Sequence, residues 1–384
     1  MVLRLGLFEA TRLGVPPPVA VDAAVRLVRT LGIGSASGMV NAVLRRATAG
    51  FEERLRKAPE ATRLAFPAWL AARWQSSLGE VSARVSMEAA LEPAPVWVWF
   101  LDDADRVAAA SGGLELHRHP WCPDAWSSAE CIGDLLDLVR SGKAYVQDPA
   151  SQLVSEVATG LLSADPGQVV DLCAAPGGKA ARILRARPDI DLVTLDRHPG
   201  RVRLLRGLID RVVHVGRTTV AVADAAAPPL TSAGSDLVLL DAPCSGTGTL
   251  RRHPEIKWRL DVAAIEQLAT LQRRLIVSAI DLVAPGGVLL YTTCSIEPEE
   301  NEAHFAELPD GFETIDLRPL LPPGTPSLPA GRSGLRLPPS LESDGFTLHA
   351  ARRATSSIEG GSMSALASHS IPQLRTPPYP ENQG

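Results

Sequence analysis

From about residue 147 to residue 293 the chain alternates short apolar runs with helix-length amphipathic stretches, a pattern that few folds accept. The spacing predicts strands at 168–173, 191–196, 219–223, 236–241 and 287–293, with helices at 178–187, 198–210 and 262–284. The last helix carries Ile265, Leu268, Leu271, Leu275, Ala279 and Leu282 along one side. Strands as continuously apolar as Leu237 to Leu240 must be covered on both faces. The chain therefore predicts an α/β fold, a mainly parallel sheet with flanking helices. In such sheets ligands bind beyond the carboxyl ends of the strands, so the residues just after each apolar run are where chemistry belongs.

Two cysteines occupy such places. Cys244 lies in Asp241-Ala242-Pro243-Cys244-Ser245-Gly246, and Cys294 lies in Thr292-Thr293-Cys294-Ser295, fifty residues later. A third run ends in Val170-Asp171-Leu172 and opens into Cys173-Ala174-Ala175-Pro176-Gly177-Gly178-Lys179. Glycines there let the backbone turn tightly and approach a ligand, and the following helix offers free N–H groups. The order is not the Gly-x-Gly-x-x-Gly of dinucleotide enzymes, which disfavours a dehydrogenase. Asp196 closes the next strand, where an acid suits ribose hydroxyls, and Asp224 closes the third, where a carboxylate can accept from an adenine amino group. A lone Asp at a strand end is commonly a cap or turn residue. Three at corresponding ends beside a glycine loop point to S-adenosylmethionine.

Two strand-end thiols beside such a cofactor suit methyl transfer to carbon 5 of a pyrimidine. That carbon is a poor nucleophile, and a thiolate adding at carbon 6 makes it an enamine. A second group must then take the carbon 5 proton, and a cysteine can serve. Asp241 is placed to hydrogen-bond the ring nitrogen and amino group. Residue types alone leave open which of Cys244 and Cys294 attacks. Cys173, inside the glycine loop, reads as a buried hydrophobe or a wall of the cofactor pocket.

The rest of the chain is less regular. Residues 1–50 read as helical, with breaks at Pro16-Pro17-Pro18 and at Gly32 to Gly38, and the first helix has no capping residue before it. Residues 51–146 mix a helical stretch opening at Phe66-Pro67 with a strand signal at Val96 to Phe100, which suggests a small α+β module. Residues 319–340 are proline-rich and read as loop, 346–350 as a final edge strand, and the tail from 354 as disordered.

With 45% hydrophobic and 21% charged residues the composition is that of a soluble globular protein, and no apolar run is long enough to span a membrane. Five scattered cysteines make no disulfide framework and fit a reducing, cytoplasmic setting. His117, His119, Cys122 and Cys131 do not have the spacing of a standard zinc finger, and no metal is expected. The net charge of −5 does not advertise nucleic-acid binding, but its distribution does. Ten basic residues stand against four acidic ones from Lys179 to Arg217, and Arg251, Arg252, His253, Lys257 and Arg259 form a second basic cluster, of which the first four are expected to contact RNA.

Taken together, Asp171 to Lys179, Asp241 to Trp258 and Thr293-Cys294-Ser295 through Glu297-Pro298-Glu299-Glu300-Asn301 resemble the RsmB/Sun family of RNA cytosine-C5 methyltransferases, nearest to bacterial enzymes of 16S ribosomal RNA. The likeness runs from Val146 to Phe346. It implies a Rossmann-like class I methyltransferase fold over 147–353, with Cys294 as the nucleophile and Cys244 assisting release. It also implies that Cys173 to Lys179, Asp196, Asp224 and Asp241 hold the cofactor. Leu5 to Glu9 and Val40 to Arg46 resemble the later half of a NusB-like RNA-binding domain, whose first half has no counterpart here. The resulting expectation is a monomeric enzyme acting on ribosomal RNA. The same chemistry on transfer RNA, a non-catalytic RNA-binding assembly factor, and a DNA cytosine methyltransferase using the Pro-Cys thiol are the alternatives. Retention of Lys179, Asp241, Cys244 and Cys294 disfavours the second, and the Thr-Cys motif the third.

Overall fold

A computed structural model describes residues 1–212, 217–306 and 308–355. The chain divides into two compact units, one formed by Met1–Pro93 with Arg251–Arg259, the other by Ala94–Leu250 with the rest. The division after Pro93 falls inside the 51–146 stretch that the sequence suggests as one module. The tail beyond residue 355 lies outside the described residues.

The first unit is all helical. Helices Val2–Thr11, Pro17–Thr30 and Ser37–Thr48 bury Val21, Ala24, Val28, Val40 and Leu44 against one another. Pro17 starts the second helix where its missing N–H costs nothing. Further on, Ala68–Leu78 and Glu80–Ala89 bury Leu70, Trp74 and Met87. The segment carrying the basic cluster belongs to this unit, with Arg251 donating to the carbonyls of Glu92 and Pro93 at 3.1 and 2.6 Å.

The second unit holds two sheets. The smaller has the order β2-β3-β1-β4, built from β1 (Val98–Phe100), β2 (His117–Arg118), β3 (Trp126–Ser127) and β4 (Ala144–Val146). The larger contains β5 (Gln168–Asp171), β6 (Asp191–Asp196), β7 (Arg217–Val222), β8 (Ser235–Asp241), β9 (Val283–Thr293), β10 (Phe312–Thr314), β11 (Leu328–Ala330), β12 (Gly334–Leu337) and β13 (Phe346–Arg353). Its order is β11-β12-β13-β9-β8-β5-β6-β7, with β10 also pairing β13. Strands β5 to β9 pair in parallel, and the pairings of β10 to β13 are antiparallel. The chain runs outward from β5 to β7 and then returns to the other side of β5 for β8. The carboxyl ends of β5 and β8 therefore flank a switch point where a ligand crevice forms.

Side chains alternate across this sheet. Val169, Leu192, Leu237, Leu239, Val288 and Leu290 face helices Pro149–Leu161, Gly178–Ala186 and Pro199–Val212. Val170, Val193, Val238, Leu240, Leu289 and Tyr291 face helix Val262–Leu282. Each buried leucine contributes about 1.5–3 kcal/mol. This accounts for the unbroken apolar runs.

Two expectations are corrected. The 346–350 segment is not an edge strand, because β13 pairs β9 on one side and β12 on the other and is buried through Ala351. Its second neighbour comes from the proline-rich stretch read as loop, where β11 and β12 form a hairpin around Gly331, at φ +66°. Pro329 is tolerated because β11 is outermost and its far edge needs no donor. Between β8 and β9 the register is continuous from Leu237–Val288 to Asp241–Thr292. Before it, Ser235 pairs with Val283, so β9 carries three more residues than β8 in that interval, in the Ala284-Pro285-Gly286-Gly287 segment. Among the described residues no helix is long and apolar enough to cross a membrane.

Candidate active site

β5 ends at Asp171, which is 1% exposed and whose carboxylate oxygens make no well-formed hydrogen bond. Burial, reinforced by the charge of Asp241, pushes its pKa up to about 7. The backbone then turns through Leu172 to Gly177, with a cis bond at Ala175–Pro176, into helix Gly178–Ala186. Gly177 sits at φ +113°, and a Cβ there would lie 2.8 Å from Leu205 Cδ1. At Gly178 a Cβ would lie 2.8 Å from the Tyr145 ring. The two glycines thus let the loop pack closely while the helix keeps its first N–H groups and its positive end for a ligand.

The neighbouring strand ends supply acids. Asp196, 5% exposed, accepts the His198 N–H at 2.9 Å and lies 3.7 Å from Arg201, whose guanidinium also reaches the Ala175 carbonyl. Asp224 is exposed and accepts the Ala226 N–H at 2.9 Å. Each carboxylate thus fixes its own turn, which is the bland role expected of strand-end aspartates, while also standing at the corresponding end of its strand. Cys173 is held as a neutral thiol, its pKa raised by burial and then by Asp171, Asp241 and Asp196. A loop with no room for side chains, a helix N-terminus and a buried acid at the next strand end fit S-adenosylmethionine, with its ribose and amino-acid ends.

Lys179 reaches from the first turn of that helix to Asp241 at the end of β8, Nζ to Oδ2 2.6 Å, with Nζ 5.2 Å from the Phe346 ring centre. Burial works against the ammonium, but the attraction of Asp241, with Cys294 and Asp171 behind it, outweighs that and raises the pKa of Lys179. Adjacent strands β8 and β9 release their chains side by side, and the Cys244 and Cys294 sulfurs are 3.3 Å apart. The hydrogen bond to Cys294, then burial, hold Cys244 well above the ordinary thiol range, so Cys244 keeps its proton. Asp171, Cys173, Lys179, Asp241, Cys244 and Cys294, all singled out in the sequence, converge here.

A supporting layer escaped the sequence. Glu300 is fully buried, and its carboxylate accepts the Ser245 N–H at 2.8 Å and Gln272 Nε2 at 3.0 Å. It also accepts the hydroxyls of Ser245 and Ser295. Burial raises its pKa against these four hydrogen bonds. Asn301 Nδ2 donates to the carbonyls of Ser295 and Glu297 at 3.1 and 2.8 Å. Gly248 packs so tightly that a Cβ would lie 2.1 Å from the Gly345 carbonyl oxygen and 2.8 Å from that of Cys294. The Glu297-Pro298-Glu299-Glu300-Asn301 run, which carried part of the family resemblance, was the available signal, but no role was assigned to its acids.

The members of the basic cluster differ in exposure. Lys257 is buried, its ammonium 4.6 Å from the centre of the Phe66 ring, and burial lowers its pKa. Arg251 is committed to the carbonyls named above. His253 is exposed, 3.6 Å from Glu255. Arg252, half-buried, belongs to the same segment. His119 is buried edge-on to Trp97 and Trp121, and its Nδ1 accepts the Cys122 N–H at 3.2 Å. No group of three metal-ligating side chains occurs among the described residues.

Comparisons with known proteins bear on the family and the fold. A profile described as 16S rRNA methyltransferase RsmB/F matches residues 158–350, and one described as the NusB family matches residues 1–49. Ribosomal RNA small subunit methyltransferase B of Xylella fastidiosa strain 9a5c is 35% identical over 354 residues, covering 90% of this chain and 81% of the relative. The protein of that name from Salmonella arizonae is 31% identical over 364 residues, covering 90% and 80%. A methyltransferase homologue from Pyrococcus horikoshii superposes with a TM-score of 0.62 at 27% identity, over 77% of this chain and 97% of that one. NSun6 from Pyrococcus horikoshii with SFG has the same fold, with a TM-score of 0.63 at 19% identity over 76% and 99%.

Proposed function

The chain belongs to the RsmB/F family of methyltransferases, and from that premise we propose that it methylates carbon 5 of a cytosine in ribosomal RNA, in the 16S molecule, as a cytoplasmic monomer. The observation that carries this reading is the pair of sulfurs 3.3 Å apart at the ends of adjacent strands, beside the Lys179–Asp241 ion pair. S-adenosylmethionine, which Cys173 to Lys179, Asp196, Asp224 and Asp241 would hold, supplies an electrophilic methyl group when bound.

Cys294 attacks carbon 6 of the cytosine, forming a carbon–sulfur bond and making carbon 5 nucleophilic. Before attack, the protonated Cys244 donates to the sulfur of Cys294, which attacks as the negatively charged thiolate. Once that charge is consumed in the new bond, it no longer holds the proton on Cys244. With carbon 5 methylated, Cys244 releases its own proton to solvent and, as thiolate, takes the carbon 5 proton, after which the carbon–sulfur bond breaks and Cys294 leaves as thiolate. Asp241, oriented by Lys179, hydrogen-bonds the ring during addition. Arg252 and His253 are proposed to meet RNA, whereas Lys257 and Arg251 are engaged within the helical unit.

The test is incubation of wild type, Cys244→Ala and Cys294→Ala with 16S RNA transcripts and labelled S-adenosylmethionine, followed by denaturing electrophoresis. A persistent RNA–protein band with Cys244→Ala and none with Cys294→Ala is expected. The reverse pattern would exchange the roles of the thiols, and incorporation at a position other than carbon 5 would sink the proposal.

A further inference from the structure

We propose that Glu300 is a positioning residue that ties the Cys244 and Cys294 loops together through Ser245 and Ser295 and so fixes the separation of the two thiols. The inference deepens the two-thiol reading and rests on it. Each serine directly follows its cysteine in the chain. One carboxylate takes a donor from both loops, and Gln272 on helix Val262–Leu282 anchors it from behind while donating to the Pro243 carbonyl at 2.9 Å. The Glu300 carbonyl also accepts the Tyr291 hydroxyl at 2.6 Å, which fixes the residue to the strand that carries Cys294.

The chemical identity of the residue matters as well as its reach. Two N–H groups and two hydroxyls converge on the group, and a carboxylate accepts from all four at once. Its charge lies close enough to Cys244 to favour the protonated thiol. An uncharged replacement of the same shape would slacken the serine contacts and relax the distinction between the proton-holding and the attacking sulfur. Glu300 positions the thiols only through the two loops.

The experiment compares wild type, Glu300→Gln and Ser295→Ala for kcat, for the KM of S-adenosylmethionine and RNA, for melting temperature, and for the rate at which diamide joins Cys244 to Cys294. Diamide removes two electrons and two protons from the thiol pair and is itself reduced to the hydrazine. The disulfide is identified by peptide mass. Glu300→Gln is expected to form it about tenfold more slowly and to lose about a hundredfold in kcat, the scale of a misplaced reacting group. Both KM values should stay within about twofold of wild type and the melting temperature within a few degrees. Ser295→Ala should shift kcat and the cross-linking rate in the same direction by less, and it decides the matter if Glu300→Gln does not fold. Wild-type cross-linking with wild-type kcat would overturn the proposal. So would a parallel fall of kcat, affinity and melting temperature, which would mean that the residue only supports the fold. Cross-linking needs no RNA, so its outcome stands even if the wild-type protein proves to methylate another position.

Discussion

Asp171→Asn should make the protein more stable at pH 8 while leaving it nearly unchanged at pH 4. In the unfolded chain this carboxyl ionises near 3.8, whereas in the folded protein burial and Asp241 push it up to about 7. The folded state therefore binds the extra proton between these values. Stability from this group is fully present below 3.8 and is lost as pH rises to about 7. A difference of roughly three pKa units at 1.36 kcal/mol each sets an upper bound of about 4 kcal/mol. Lys179 lies near enough to offset part of that, and an asparagine still needs partners, so a gain of about 2–3 kcal/mol above pH 7 is expected. Guanidinium unfolding followed by tryptophan fluorescence at intervals from pH 4 to 8 measures it. Wild type should lose stability across the window relative to the variant. Parallel curves for the two proteins would show that Asp171 carries its charge in the folded state without penalty, and the argument from its burial would fail.

Lys179→Met leaves Asp241 without its cation. Breaking a buried pair costs about 3–5 kcal/mol, and the 28% exposure of the Asp241 side chain places this one near the lower figure. Methylation should be lost as well, and a variant melting within a degree of wild type would refute the energetic estimate. Gly248→Ala forces a methyl group against the Gly345 and Cys294 carbonyls. It should cost about 1–3 kcal/mol and about a hundredfold in single-turnover rate, and full activity would show that the loop has slack. Lys257→Met should keep RNA affinity within about twofold by filter binding, because the ammonium is buried over Phe66. A tenfold loss would restore the residue to the RNA surface.

What could be read in the sequence is what is encoded locally. Strand length, apolar continuity and the residue after each run located Asp171, Asp196, Asp241, Cys244 and Cys294 before any coordinates. The glycine loop declared itself because glycines after a strand are a local signal, and Gly177 and Gly178 indeed pack against Leu205 and Tyr145 with no room for a Cβ. Glu300 did not, because its meaning lies in Ser245, fifty-five positions away in the chain. The β11–β12 hairpin was hidden by prolines that an outermost strand tolerates, and this in turn misplaced β13 at the edge. Lys257 and Arg251 read as phosphate contacts because a basic cluster carries no mark of which members pack inward. The boundary after Pro93 was likewise invisible, since it depends on a return of residues 251–259 to the first unit.

The three extra residues of β9 sit at the far end of the strand from Cys294. From Val288 to Thr292, every position on β9 is matched to one on β8, so this end of the pair has no free play. The segment before Val288 already departs from the β8 register, while a single residue gained or lost beyond Leu290 would turn alternate side chains to the opposite face. Tolerance to insertion is thereby polarised along one strand, and the chemistry sits at its intolerant end.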